Sequence, residues 1–251
     1  MSARFSGAHM IMIIVLAFSI LLPTTAFAQG VANLPVLTPG LHVQTLPRAN
    51  EPTIHYAISI PRNYSPPARV PLILALHFGV SDGNSAGAGR DVVGILIGPA
   101  LAELGAIIVA PDSLRGDWSS PENEDAVNAL LDMVLARYSV DMKKIAVTGF
   151  SMGGTGSWHF AAKYPERFSA AIPVAGRPPA PASEWRLPIL AVHSRDDQVA
   201  PIGPTETRIS ELQKSGVNAK LIALTGVTHF ETYRFVDGLR QAVPWLREIW
   251  K

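Results

Sequence analysis

From residue 71 onward, short apolar runs alternate with longer stretches that carry polar residues at helical spacing. The runs are Pro71 to Phe78, Ala106 to Ala110, Lys144 to Phe150, Ala170 to Ala175, Pro188 to Val192 and Ala219 to Leu224. Each is too short for a helix and mostly lacks polar alternation, which predicts strands buried on both faces. Between and after them lie predicted helices at Val92 to Leu104, Ala126 to Tyr138, Met152 to Tyr164, Thr205 to Ser215 and Thr232 to Trp250. Upstream, Thr53 to Ile60 partly alternates, as an outer antiparallel strand would, and residues 29 to 50 read as an irregular, proline-containing lead-in. Strands alternating with helices predict an α/β fold, a mostly parallel sheet covered by helices on both faces. Right-handed crossovers then gather the loops after successive strands on one edge, where distant residues can meet.

On that edge one junction stands out. Gly149-Phe150-Ser151-Met152-Gly153-Gly154 joins the run Lys144 to Thr148 to the stretch that starts at Met152. A serine between glycines at a strand-to-helix corner is forced into a strained backbone, while the glycines let neighbouring chain approach. The hydroxyl is then lifted from the sheet. That is a nucleophile elbow, and Ser151 is the candidate nucleophile; an ordinary glycine-rich turn is the plainer alternative.

A serine hydroxyl needs a base within hydrogen-bond reach, and histidine is the usual one. Of seven histidines, His9 lies in the leader and His42 and His55 lie in the early edge segments. His159 is about 12 Å along the nucleophile helix and cannot reach back. His77 and His193 end strands on the right edge; His77 is expected to hold its loop by hydrogen bonding. His229, in the loop after the last strand, is the candidate base, with a helix-capping or surface role as its alternative. The base needs a carboxylate, and His193-Ser194-Arg195-Asp196-Asp197 offers two neighbours of which only one can point at it. The order nucleophile, acid, base is that of α/β-hydrolases. Oxyanion donors are expected from the Met152 N–H and from Phe78 or Gly79 N–H in the loop after the Leu72 to Leu76 strand.

These residues resemble the α/β-hydrolase superfamily, and within it the compact secreted serine esterases of the feruloyl esterase, polyhydroxybutyrate depolymerase-like and phospholipase/carboxylesterase groups. The resemblance runs from about Pro71 to His229 and rests most on Tyr138 to Asp141, Ile145 to Gly154, Tyr164-Pro165-Glu166-Arg167-Phe168 and Ile172 to Gly176. The acid loop resembles the family's H-G-x-x-D-x-x-V-P, which places the acid at Asp197 and leaves Asp196 to cap the loop or pair with Arg195. Two departures are His77-Phe78 where the family has H-G, and Ser194 and Ala200 where glycine and valine are usual. The resemblance implies nucleophilic acyl transfer on carboxylic esters without a cofactor. A serine peptidase of prolyl oligopeptidase type and a non-catalytic binding protein on the same scaffold are the alternatives. Gly176 to Leu187, where many relatives insert a cap domain, is short and proline-rich, so no cap and an open cleft are expected. Its rims would be Val80 to Arg90 and Arg115 to Asn123. Phe78, Trp118 and Phe230 beside these loops could form an aromatic wall, Trp118 and Phe230 being the candidate substrate contacts, or could simply pack; Trp158 is expected in the core.

Composition narrows the setting. Arg4, the apolar stretch Ile11 to Leu22 and Ala26-Phe27-Ala28 form a secretory signal with cleavage after Ala28, so residues 1–28 are a leader and 29–251 a single catalytic domain. An uncleaved membrane anchor is the alternative, though twelve residues are few for a membrane span, which needs about twenty. The chain has no cysteine, which excludes disulfides and thiolate chemistry. Of 21 basic and 20 acidic residues only Arg4 leaves with the leader, and the remaining balance gives no reason to seek nucleic acid or an anionic membrane. The expected partner is an ester, small or polymer-linked, met outside the cytoplasm, secreted or periplasmic. No zinc-ligand spacing occurs, and no metal is expected.

Overall fold

A computed structural model describes residues 36–81, 83–179 and 185–251. The leader, its cleavage point and His9 lie outside the described residues, as do 180–184 within the link where a cap would be inserted.

Eight strands form one sheet in the order β1-β2-β4-β3-β5-β6-β7-β8. They are β1 (Gly40–Arg48), β2 (Glu51–Ile60), β3 (Val70–Leu76), β4 (Ile107–Pro111), β5 (Val140–Phe150), β6 (Ala170–Val174), β7 (Ile189–Ser194) and β8 (Ala219–Leu224). β1 and β2 run antiparallel to their neighbours, and every pair from β4 to β8 is parallel. This is the sheet of the α/β-hydrolase fold.

One strand departs from the sequence expectation: β1 lies inside residues 29 to 50, whose pattern predicts an irregular lead-in. It is an edge strand, only Leu46 is buried, and Pro47 interrupts it, so its apolar period is too weak to read. Pairing with β2 makes it a strand, with Val43 opposite Ala57 and Leu46 opposite Ile54. Edge positions are also where proline is tolerated in sheets.

The helices cover both faces. On one side α3 (Pro121–Arg137), α4 (Met152–Lys163) and α5 (Gly203–Lys214) bury Val127, Leu130, Trp158, Phe160 and Ile209 against alternate side chains of the strands, such as Leu72, Leu74 and Val147. Trp158 is fully buried, as expected of a core residue. On the other side lie α1 (Ala88–Val92), α2 (Gly98–Leu101), α6 (Val236–Arg240) and α7 (Ala242–Ile249), packed over Ile73, Ala75, Ala146 and Ile172. The expected helix at Val92 to Leu104 begins earlier and passes through a π-turn, Val93–Ile97, between α1 and α2. The expected helix at Thr232 to Trp250 is also divided, into a 3₁₀ turn, Thr232–Phe235, then α6 and α7. Pro244 falls in the first turn of α7, where its missing N–H costs nothing, so the break precedes it.

Helix α3 starts five residues before its expected start. Ser120 caps it by accepting the Asn123 N–H, Pro121 occupies the first turn, and Glu122 and Glu124 face the helix's positive end. Glu124 does more than suit the dipole. Its nearly buried carboxylate binds Lys163 at 2.6 Å and His159 at 2.5 Å, both on α4. Burial alone would raise the Glu124 pKa, but these bonds hold it below the usual carboxylate range.

Candidate active site

Register decides which loops meet. Leu76 at the end of β3 pairs with Gly149, and Phe150 pairs with Val174. Ser194 at the end of β7 pairs with Leu224. The loops after β3, β5, β7 and β8 therefore open on one edge, around the corner between β5 and α4.

Ser151 sits at that corner with φ 56° and ψ −114°, a region that side chains beyond glycine avoid. Its N–H donates to the Val174 carbonyl at 2.9 Å, and its carbonyl accepts from Thr155 at 3.0 Å, closing the first turn of α4. The glycines around it are there for close approach. A Cβ on Gly153 would stand 2.0 Å from the Leu76 carbonyl oxygen, and one on Gly149 would stand 2.5 Å from the Gly153 oxygen. Any side chain at either position would push β3, β5 and α4 apart.

The Ser151 hydroxyl donates to His229 Nε2 at 2.8 Å, and His229 Nδ1–H donates to Asp197 Oδ2 at 2.6 Å. The three residues lie as many as 78 positions apart in sequence and meet only through the sheet. Asp197 has a fully buried side chain, and an ionised carboxylate there must be satisfied. Its other oxygen accepts the N–H groups of Val199 at 2.9 Å and Ala200 at 2.7 Å. Beneath His229 the Phe150 ring lies 5.3 Å away and rests in turn on Phe235.

Asp196 is turned away from His229 and accepts the Gly226 N–H at 2.6 Å, so it ties the acid loop to the loop that bears His229. It caps that loop, and Arg195 pairs with Glu206 instead. Ser194, conspicuous in the sequence only as a departure from glycine, adds a second tie: its buried hydroxyl donates to the Val227 carbonyl at 2.6 Å. The cap by Asp196 is one of its two expected roles, whereas the tie from Ser194 is not legible from residue type, because it needs β7 beside β8.

The two other buried histidines on this edge are structural donors and acceptors. His77 is wholly buried; Nδ1–H donates to the Phe78 carbonyl at 2.6 Å and Nε2 accepts the Ser113 N–H at 3.0 Å. It holds the loop after β3, as expected. His193 Nε2–H donates to the Ala200 carbonyl at 2.7 Å, and Nδ1 accepts the Thr205 hydroxyl at 3.0 Å. Its Nε2 also lies 3.7 Å from Asp197 Oδ2. Burial lowers the pKa of both histidines below the ordinary 6.5.

A pH effect on stability follows from these shifts. Well above pH 6.5 both histidines are neutral whether folded or not, and the native state keeps its full advantage. As pH falls through that value, the unfolded chain takes up protons that the native state refuses, and stability drops. Thermal melting is therefore expected to fall from pH 7 to pH 5, before the carboxylates with lowered pKa, such as Glu124, contribute at more acid pH. His193→Asn should flatten that slope; an unchanged slope would contradict neutral burial of His193.

Trp118 corrects the sequence reading. It is 1% exposed, lies edge-on to His77 with ring centres 4.9 Å apart, and donates its indole N–H to the His77 carbonyl at 3.0 Å. With its ring enclosed beneath the loop it offers no face to a substrate, and its effect on the site is to fix the loop after β3. The flanking segment is stitched by Asn123, which accepts the Leu114 N–H and donates to the Arg115 and Asp117 carbonyls. Phe78 is half-buried and packs into the core on the α1 side. Phe230, by contrast, is 77% exposed beside His229. Gly79 lies against Met152, its Cβ position 3.9 Å from the Met152 Cβ. Among the described residues, no group of three or more histidines and carboxylates is arranged to hold a metal ion.

The dienelactone hydrolase family model matches residues 110–234. A probable feruloyl esterase C of Aspergillus terreus is 28% identical over 203 residues, covering 79% of this chain and 73% of its own length. The chain spans 64% of several other curated relatives. Among solved structures, a thermostable esterase superposes with TM-score 0.68 at 23% identity, over 83% of this chain and 62% of that one. A ferulic acid esterase superposes with TM-score 0.66 at 17% identity, over 86% of this chain and all of that one. Identities this low between structures speak for the fold. The chain has the α/β-hydrolase fold. Within that class, the family match and the curated relatives support a carboxylic-ester hydrolase.

Proposed function

We propose that this chain cleaves carboxylic esters through an acyl-serine intermediate, with Ser151 as nucleophile, His229 as general base and acid, and Asp197 holding His229. The observation that carries this reading is the continuous hydrogen-bonded path from the strained Ser151 through His229 to the buried Asp197. His229 Nε2 takes the hydroxyl proton as Ser151 Oγ attacks the carbonyl carbon. Charge moves onto the carbonyl oxygen, where the Met152 N–H and that of Phe78 or Gly79 receive it. Collapse of the adduct expels the alcohol, which takes the proton from His229. Water then attacks the acyl carbon as His229 Nε2 takes its proton, and that proton passes to Ser151 Oγ as the acyl–oxygen bond breaks, releasing the acid and restoring Ser151. Asp197 keeps Nδ1 protonated, so Nε2 is free to accept, and its charge stabilises the imidazolium between the transfers.

The proposed setting is outside the cytoplasm, on bulky or polysaccharide-linked esters. The leader-like segment at residues 1–28 supports export. Among the described residues, no helix is long and apolar enough to cross a membrane. The short link between β6 and β7 supports an open cleft that would admit a large substrate.

Exported protein is expected to begin at Gln29 by mass, to be labelled on Ser151 by a fluorophosphonate, and to hydrolyse short p-nitrophenyl esters. An ester should turn over far faster than the amide with the same acyl group. Dominant amide cleavage would favour a peptidase, and failure to label would leave only a binding role.

A further inference from the structure

We infer that Phe230 reads the alcohol half of the ester, selecting alcohols that carry a ring. The inference rests on the proposed acyl-serine chemistry and adds a direction to it. The departing alcohol takes its proton from His229 Nε2, so its oxygen must come within hydrogen-bond distance of that atom. The acyl half lies across the breaking bond, against Ser151 and the donors at Met152. The group borne by the alcohol therefore extends over the His229 side of the cleft, and the ring of Phe230, the next residue in the chain, lies against the His229 imidazole.

Three features of Phe230 suit it to this task. Its ring is 77% exposed, which leaves a face open to a ligand. The ring stands nearly perpendicular to the imidazole, at 85° with centres 5.9 Å apart, so it lies beside the catalytic ring without stacking on it. The turn that carries it is held at several points. Glu231 accepts the Thr228 N–H at 2.8 Å and hydroxyl at 2.9 Å with one oxygen, and Arg234 at 2.9 Å with the other. The Glu231 N–H donates to the Thr228 carbonyl at 3.2 Å, closing the turn around Phe230. The bonds from Thr228 and Arg234 hold the Glu231 pKa down at about 2, so the clamp persists wherever the enzyme would work. An exposed aromatic on a braced turn has little order left to lose when a ring stacks on it. Tyr233, 63% exposed, extends the same turn with a second aromatic ring.

The test uses exported protein and two substrate series. In the first, one butanoyl group is joined to methyl, cyclohexylmethyl or benzyl alcohol; in the second, the alcohol is fixed and the acyl chain lengthens. Phe230→Ala is expected to lower kcat/KM for the ring-bearing esters relative to the methyl ester by about five- to tenfold, in the upper part of the roughly two- to twelvefold range of one aromatic stacking contact. Phe230→Tyr should restore the ratio. The second series should show the same wild-type-to-variant ratio at every acyl length, because Phe230 does not touch that half. A ratio within about twofold of wild type in the first series, against that stacking range, would overturn the inference. So would an effect that tracks acyl length. Either result leaves the acyl-serine reading standing, whereas wild-type protein that neither labels with fluorophosphonate nor cleaves any ester removes the reading beneath it.

Discussion

Ser151→Ala is expected to lower kcat on p-nitrophenyl butyrate by about 10⁶ while leaving the fold intact, the scale seen when the nucleophile of a hydrogen-bonded catalytic group is lost. Alanine retains the Cβ and so can occupy the same corner, but no oxygen remains to donate to His229 or to attack a carbonyl. The corner itself gives a second readout. At φ 56° and ψ −114° the residue is strained whether it is serine or alanine. Ser151→Gly relieves that strain and is expected to be the more heat-stable of the two variants, by an amount on the order of 1 kcal/mol. Circular dichroism and melting curves check the fold, and initial rates check the chemistry. Retention of more than a small fraction of turnover by either variant would remove Ser151 from the nucleophile's role.

Asp197→Asn should cost about 10⁴ in kcat, and the bonds around the carboxylate say why so small a change does so much. Oδ1 accepts two backbone N–H groups, from Val199 and Ala200, so an asparagine must place its carbonyl oxygen there. The amide NH₂ then faces His229 Nδ1, which must give up its proton to accept. The imidazole switches tautomer, carries its proton on Nε2, and can no longer take one from Ser151. At Asp196→Asn the amide oxygen can still accept the Gly226 N–H, and the loss should stay below about tenfold, near the value of one neutral hydrogen bond. Comparable losses in the two variants would contradict Asp197 as the orienting acid.

The distinction between these neighbours shows how the sequence and the structure divide the explanation. Residue types alone left two carboxylates open; the family pattern pointed to Asp197; only the bonded geometry shows that one turns toward His229 and the other toward Gly226. His229 was reachable by elimination, because a base has to lie in a loop on the strand C-terminal edge. Trp118 was not assignable in this way. A tryptophan in a loop next to a cleft has the same local pattern whether it faces water or the core. Its burial comes from Gly156, where a Cβ would stand 2.6 Å from the Trp118 Cβ, and from the His77 carbonyl, both far away in sequence. Strand β1 was missed for the related reason that an edge strand has only one neighbour and needs few buried side chains.

Apolar period, glycine placement and the chemistry of side chains are local properties, and they determined the alternation of strands and helices, the sharp corner at Ser151 and the short roster of residues able to act there. Register, burial and hydrogen-bond partners arise between segments far apart in the chain. The sheet therefore decided the rest. It brought β3 beside β5 and β7 beside β8, turned Asp197 inward and Asp196 across, enclosed Trp118 and left Phe230 in the open. A side chain's type sets which bonds it can make, and the packing of distant backbone sets which of those bonds it does make.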